Sequence, residues 1–382
     1  MKTLVVLSHL RWDFVFQRPQ HLLTRLSKYY NIIFVEEPMK GPVALDVHHI
    51  SPSIQVVVPH TGVEEFGFSD AQMEVIGPML HSWLRGEVQS GYGLWFYTPQ
   101  ALPLKDYLSD YEFIVFDVMD ELSMFANAPI QLKEREAELL KIADLVTAGG
   151  PSLARAKQLV RPDTLSLPSS VDGTHFAPKT AEEREADNHF EDRLEHDIAH
   201  PRLGFFGVID ERLDTDLIAY IADADPRWQL VMVGPVVKID PETLPKRANI
   251  HWLGQQDYAV LPQLVHEWEV CMLPFALNDA TKFISPTKTL EYLAAEKPVV
   301  STAVHDVVEL YGDAVEIAYD KDEFVAKLHD VMNESEVAKA ERLFLTREVV
   351  KANEWDATAE KFHQAIEQII GSKPSYAYIS VP

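Results

Sequence analysis

The chain alternates short β-branched apolar runs with amphipathic stretches nearly throughout. The runs "TLVVLSH", "NIIFVEE", "IQVVVP", "LWFYTP", "FIVFDV" and "LVTAGG" fill the first half, and "LGFFGVI", "QLVMVG", "IHWLG", "EVCMLPF" and "KPVVST" the second. Continuous apolar strands separated by helices predict parallel sheets covered on both faces, and so an α/β chain. Between the two sets lies "LPSSVDGTHFAP" (167–178), a Pro, Gly and Ser cluster that reads as a linker. The polar run "KTAEEREADNHFEDRLEHDIAH" follows it and reads as a solvated helix or loop. Near the end "ANEWDATAEKFHQAIEQII" has helical periodicity, and "GSKPSYAYISVP" reads as a tail. The expected division is 1–172, 173–350 and a returning helix with tail at 351–382.

Length agrees with two domains, since 382 residues exceed the usual single core. A net charge of −25 argues against a nucleic-acid partner and gives no overall attraction to anionic lipid. Cys271 is the single cysteine, so no internal disulfide forms and a reducing compartment is expected. Neither a signal peptide nor a membrane span is read from the apolar runs, which predicts a cytoplasmic protein, with peripheral contact at the inner membrane left open.

In open α/β sheets ligands bind beyond the carboxyl ends of the strands, which directs attention to the polar residues after each run. These are "SHLRWDFVFQRPQHLL", "DVMDELSMF", "GVIDERLD" and "FISPTKTLE". In the last, Ser285 is expected to cap a helix that Pro286 leads. Lys288 then adds a cation at a helix end that already favours an anion, and Glu291 follows one turn later. On spacing alone this is equally a capped surface helix with a weak Lys–Glu pair. "RPQHLLTRL" predicts a second helix start with Pro19 at its first position. Trp12, Phe14 and Phe16 are an aromatic group for a sugar ring or lipid, or simply loop core. No HExxH, CxxC, Walker or GxGxxG pattern suggests a protein-held metal or a dinucleotide.

In order and spacing, "LPSSVDGTHFAP", "LGFFGVIDERLD", "LVMVG", "IHWLG", "VCMLPF" and "SPTKTLEYLAAEKPVVST" resemble the nucleotide-sugar half of GT-B glycosyltransferases of the glycosyltransferase family 1/4 type. "SHLRWDFVFQRPQHLL" and "FDVMDELSMFANAP" resemble a bacterial subgroup of glycosyltransferases and, more distantly, the xanthan glucuronosyltransferase. The resemblance implies two Rossmann-like domains facing an interdomain cleft. It implies a nucleotide sugar, with UDP the expected nucleotide, as donor substrate, and no required cofactor or metal. A glycan or lipid-linked glycan of envelope polysaccharide would be the acceptor.

Carried residue by residue, the resemblance puts the ribose on Glu291 and the diphosphate among Gly207, Arg212, Ser285, Thr287 and Lys288, with Lys288 stabilising the leaving group. The xanthan likeness puts the base at Asp120, with Asp117 and Glu121 as understudies and Glu121 also near the acceptor. His9, Arg11 and Arg18 would face the acceptor. Three positions depart from the family: Phe283 replaces its first glutamate, Val208 follows Gly207 where a cation is usual, and Glu296 stands where a Gly is expected. The last costs roughly 1 kcal/mol if that site needs left-handed φ. Missing its first glutamate, the site favours inversion. A nucleotide-sugar 2-epimerase and a non-catalytic nucleotide- or glycan-binding partner are the rival readings.

Overall fold

The computed structural model describes residues 1–124, 128–179, 195 and 197–372. Most of the polar run (180–194 and 196), residues 125–127 and the tail at 373–382 lie outside them. The chain forms two compact units, Met1–Pro168 with Trp355–Pro382, and Ser169–Glu354.

The first unit is built on β1 (Lys2–Ser8), β2 (Tyr30–Glu36), β3 (Met39–Lys40), β4 (Ala44–Ser51), β5 (Ile54–Thr61), β6 (Tyr92–Phe96), β7 (Tyr111–Val118), β8 (Leu145–Ala148) and β9 (Leu165–Ser166). Their order is β3-β5-β2-β1-β6-β7-β8-β9, so the chain reverses direction across the sheet between β1 and β6. Every pairing is parallel except that of β4 with β5. The sheet is parallel as expected, with this one antiparallel member added at its edge. A short loop joins β4 directly to β5, and β4 is largely exposed, so no crossover helix is needed to bury it.

The last helix, Trp355–Ser372, belongs to this unit. Trp355, Ala359, Phe362 and Ile366 repeat at helical spacing and bury one face in its core. Trp355 stacks on His21 at 5.1 Å, and Phe362 on Trp95 at 5.4 Å.

The second unit contains β10 (Arg202–Phe206), β11 (Gln229–Val233), β12 (Ile250–Gly254), β13 (Val270–Leu273), β14 (Val299–Thr302) and β15 (Glu316–Ala318). They pair in parallel in the order β12-β11-β10-β13-β14-β15. This is the doubly wound dinucleotide-fold order, with the switch point between β10 and β13. Cys271 lies fully buried in β13, as a core residue. No helix among the described residues is long and apolar enough to cross a membrane.

Candidate functional site

The second unit's site forms where β10 ends against the helix Lys288–Ala294. Tyr292, fully buried, accepts a hydrogen bond at its hydroxyl from the Phe206 amide at 2.8 Å, which pins the helix to the end of β10. One turn earlier Lys288 reaches the same strand end. Its ammonium lies 5.6 Å from the Phe205 ring centre and 5.3 Å from that of Phe275, just past β13. A side chain on Gly207 would meet Lys288 Cε at 2.5 Å, so the glycine, at φ +142°, leaves the space the lysine tip uses. Gly234, at φ +147°, repeats the device after β11: a Cβ there would sit 1.8 Å from the Gly207 carbonyl oxygen. Two strand-end turns therefore touch backbone to backbone, and the Lys288 tip lies against the first of them.

Glu291 stands in the first turn of this helix, 7% exposed, and its carboxylate has no hydrogen-bond partner among the described residues. Burial pushes its pKa up to about 7, and the positive charge of Lys288 opposes that rise. A buried carboxylate with unused acceptors is suited to hydroxyl donors. Arg212 lies in the loop after β10 and is held by Asp210, with Nε donating to Oδ1 at 2.9 Å and Nη2 to Oδ2 at 2.8 Å. Ser285 and Thr287 are half-buried at the start of the helix.

The expected Ser285 cap is not formed, and the helix opens later than predicted. Thr287 occupies the cap position with helical φ −56° and ψ −37° and makes no side-chain capping bond. Capping requires extended backbone at that residue. The Thr289 and Leu290 amides instead bond the carbonyls of Pro286 and Thr287, both at 3.1 Å. At the other end Glu296 adopts φ +57°. The Glu296 amide bonds the Leu293 carbonyl and the Lys297 amide that of Tyr292, a Schellman closure with glutamate in the glycine position. Arg347 pairs with the Glu296 carboxylate at 2.7 Å, and Arg342 donates to its carbonyl at 3.1 Å.

In the first unit the candidate residues gather beyond β1 and β7. Asp117 is fully buried and accepts from Arg18 Nε at 3.0 Å, Arg18 Nη2 at 2.9 Å and Thr147 Oγ1 at 2.7 Å. Arg18, 2% exposed, also donates to the Leu167 carbonyl at 2.9 Å and lies over Phe362. The expected acceptor-facing arginine and the alternative base are thus bonded to each other inside the core. Gln17, not Arg18, precedes this helix, so Pro19 is its second residue.

Glu121 accepts from Lys157 at 2.5 Å and from Ser123 at 2.7 Å, and Lys157 also pairs with Glu136 at 2.6 Å. Arg11 donates to Glu36 at 2.9 Å and to the Glu37 carbonyl at 2.6 Å. His9 is half-buried just past β1. Asp120 is half-buried two residues past β7, close enough to Arg18 to stabilise its charge. Trp12 is buried against Phe34, Phe16 sits edge-on to His21 at 4.6 Å, and Phe14 is exposed.

Gly234, Tyr292 and Asp210 support this site without having been singled out in the sequence. The glycine of "VMVGP" at a strand end was the signal available for Gly234.

Residues 200–334 match the family model of glycosyl transferases group 1. TuaH of Bacillus subtilis (strain 168), whose name assigns it to teichuronic acid biosynthesis as a glycosyltransferase, is 25% identical over 233 residues, 55% of this chain and 55% of TuaH. The match thus spans about half the length of that relative. Among solved structures, sucrose-phosphate synthase from Thermosynechococcus elongatus aligns with a TM-score of 0.71 and 16% identity over 98% of this chain and 100% of that one. HepE from Anabaena, in complex with UDP and glucose, aligns with a TM-score of 0.69 and 12% identity over 96% and 100%.

Proposed function

The chain has the GT-B fold and carries a group 1 glycosyl transferase domain, and on that premise we propose that it transfers a sugar from a nucleoside diphosphate sugar to a glycan or lipid-linked glycan. The observation that carries this reading is the Lys288–Glu291 arrangement at the switch point of the second unit. The lysine tip lies against the Gly207 turn at the end of β10, and one turn away is a buried carboxylate with free acceptor capacity. Lys288 takes the diphosphate, whose charge grows as the bond to the sugar breaks, and Glu291 accepts from the ribose hydroxyls. Arg212, oriented by Asp210, and the Ser285 and Thr287 hydroxyls surround the same phosphates.

UDP is the proposed nucleotide, and HepE, which was solved with UDP and glucose, supports it. TuaH supports an acceptor in envelope polysaccharide synthesis. Asp120 is the proposed base. Asp120 lies half-buried two residues past β7, where the xanthan likeness puts the base, whereas Asp117 is bonded to Arg18 and Glu121 to Lys157. In an inverting displacement the acceptor hydroxyl gives its proton to this carboxylate as its oxygen attacks the sugar, and the nucleoside diphosphate leaves with the electron pair.

Calorimetric titration with UDP, GDP and dTDP, in wild type and Lys288→Ala, with and without EDTA, tests the reading. Binding of one nucleotide that is weakened by the substitution and indifferent to EDTA is the expected result. No binding of any overturns it. Asp120→Asn is expected to abolish turnover while nucleotide binding persists. Donor consumed with release of UDP and no acceptor present would move the assignment to an epimerase.

A further inference from the structure

A cavity of about 330 Å³ opens in the second unit over the carboxyl ends of β13, β14 and β15, marked by Phe275, Thr302 and Ala318. The first turns of two helices, Thr215–Ala224 and Lys321–Met332, form its sides. None of Lys288, Glu291, Ser285 and Thr287 lines it. Its volume falls in the range of small-molecule sites, which combine apolar surface with a few convergent polar groups.

The polar groups are mostly acceptors. Asp214 and Asp320 each cap a helix with Oδ1, accepting from the Leu217 and Glu323 amides at 2.8 Å. The second oxygen of each has no hydrogen-bond partner among the described residues, and Asp216 adds an exposed carboxylate at the same wall. The Thr302 hydroxyl is taken, donating to the Phe275 carbonyl at 2.9 Å. Lys321, next to Asp320, lies over the Tyr220 ring at 4.4 Å. Phe275 and Tyr319 supply aromatic surface, and Tyr319 is 69% exposed at the mouth.

Aromatic surface beside several carboxylates and one ammonium matches a polyhydroxylated ring, whose apolar face lies on the aromatics while its hydroxyls donate to the acids. Three carboxylates against one cation disfavour an anionic ligand. We propose that this cavity is a second carbohydrate site, binding a neutral or amino sugar residue apart from the nucleotide. Only the choice of carbohydrate as ligand class rests on the proposed transferase function. Phe275 is shared, since its ring also faces the Lys288 ammonium, so an occupant of the cavity touches a residue against which that lysine packs.

Saturation-transfer NMR on the full chain, using glucose, N-acetylglucosamine, glucosamine and glucuronate as probes, tests the proposal. Asp216→Asn and Tyr319→Ala, both at exposed side chains, serve as variants. Wild type is expected to bind at least one neutral or amino sugar and to reject glucuronate. Each variant should weaken the bound sugar roughly tenfold, the scale of one lost hydrogen bond or aromatic contact, with UDP affinity unchanged. Sugar binding that both variants leave intact, glucuronate bound as well as glucosamine, or no sugar bound at all overturns the proposal. The two readings fail separately: if no nucleotide binds, the transferase reading falls while sugar binding stands. If UDP binds normally and no sugar responds to the cavity variants, only the second site falls.

Discussion

Each unit places a cation and a carboxylate near the carboxyl ends of parallel strands, and the two carboxylates differ in what their hydrogen bonds leave over. Arg18 and Asp117 are bonded twice to each other, and the Leu167 carbonyl and the Thr147 hydroxyl each add a further bond. Lys288 and Glu291 are a turn apart, and the glutamate oxygens have no described partner despite burial. A closed pair inside a core fixes structure. An open one carries a desolvation cost that a ligand's donors can offset. Charge and strand-end position mark both pairs alike, and the hydrogen-bond satisfaction of the carboxylate separates them.

Breaking the closed pair is expected to have the largest effect. Asp117→Ala strands a guanidinium that is 2% exposed, and should cost about 3–5 kcal/mol of stability, read as a fall in the urea midpoint. A variant that stayed as stable as wild type but lost turnover would move Arg18 and Asp117 into the chemistry. Lys288→Ala should do the opposite: stability within about 0.5 kcal/mol of wild type, and UDP affinity reduced roughly 10- to 100-fold through loss of charge-assisted bonds. Loss of stability with unchanged affinity would make Lys288 a structural cation like Arg18.

Glu291 gives the open pair a pH signature. Its folded-state pKa, about 7, lies above the value of an unfolded glutamate, so the folded protein holds a proton that the unfolded chain has already released. The contribution to stability is therefore fully present below the unfolded value and is lost as pH rises toward about 7. Glu291→Gln lacks this loss. Urea unfolding of both proteins across that window should show the variant gaining on wild type as pH rises, and a flat difference would mean that the carboxylate is already satisfied. UDP, by offering hydroxyl donors to the ionised form, should release protons on binding near neutral pH. Titrations in buffers of different ionisation enthalpy read that release directly.

Much of the framework was legible because buried parallel strands are written as continuous apolar runs, and every run quoted from the sequence contains a strand. β4 escaped because "ALDVHHIS" carries His and Asp on an exposed edge, and β15 because three residues of "EIA" hold no periodicity. The Lys288–Glu291 pair was legible through local spacing, since both share one helix. The fates of Arg18, Asp117 and Glu121 were not, because their partners lie far along the chain. Arg18 meets a carboxylate 99 residues away and Glu121 a lysine 36 residues away, and side-chain type alone does not reveal such pairings.

The smallest effect tests a departure from the family pattern that the structure accommodates. Glu296 takes the left-handed position that closes the Lys288–Ala294 helix, at φ +57°, where a Cβ is disfavoured. Its carboxylate reaches Arg347 at 2.7 Å, but Arg347 is 64% exposed, so the pair offsets at most about 1 kcal/mol. Glu296→Ala removes the pair and keeps the backbone strain, whereas Glu296→Gly removes both. The glycine variant should therefore be more stable than the alanine variant by about 1 kcal/mol, with glycine's greater unfolded-state freedom already working against it. Arg347→Ala should cost less than that difference. UDP affinity should be equal in all three, because Tyr292 on the Phe206 amide holds the helix without the Glu296 side chain. Equal stability of the glycine and alanine variants would mean that residue 296 is not held left-handed in solution. Altered UDP affinity would mean that this closure, four residues past the Tyr292 anchor, also sets where Lys288 sits.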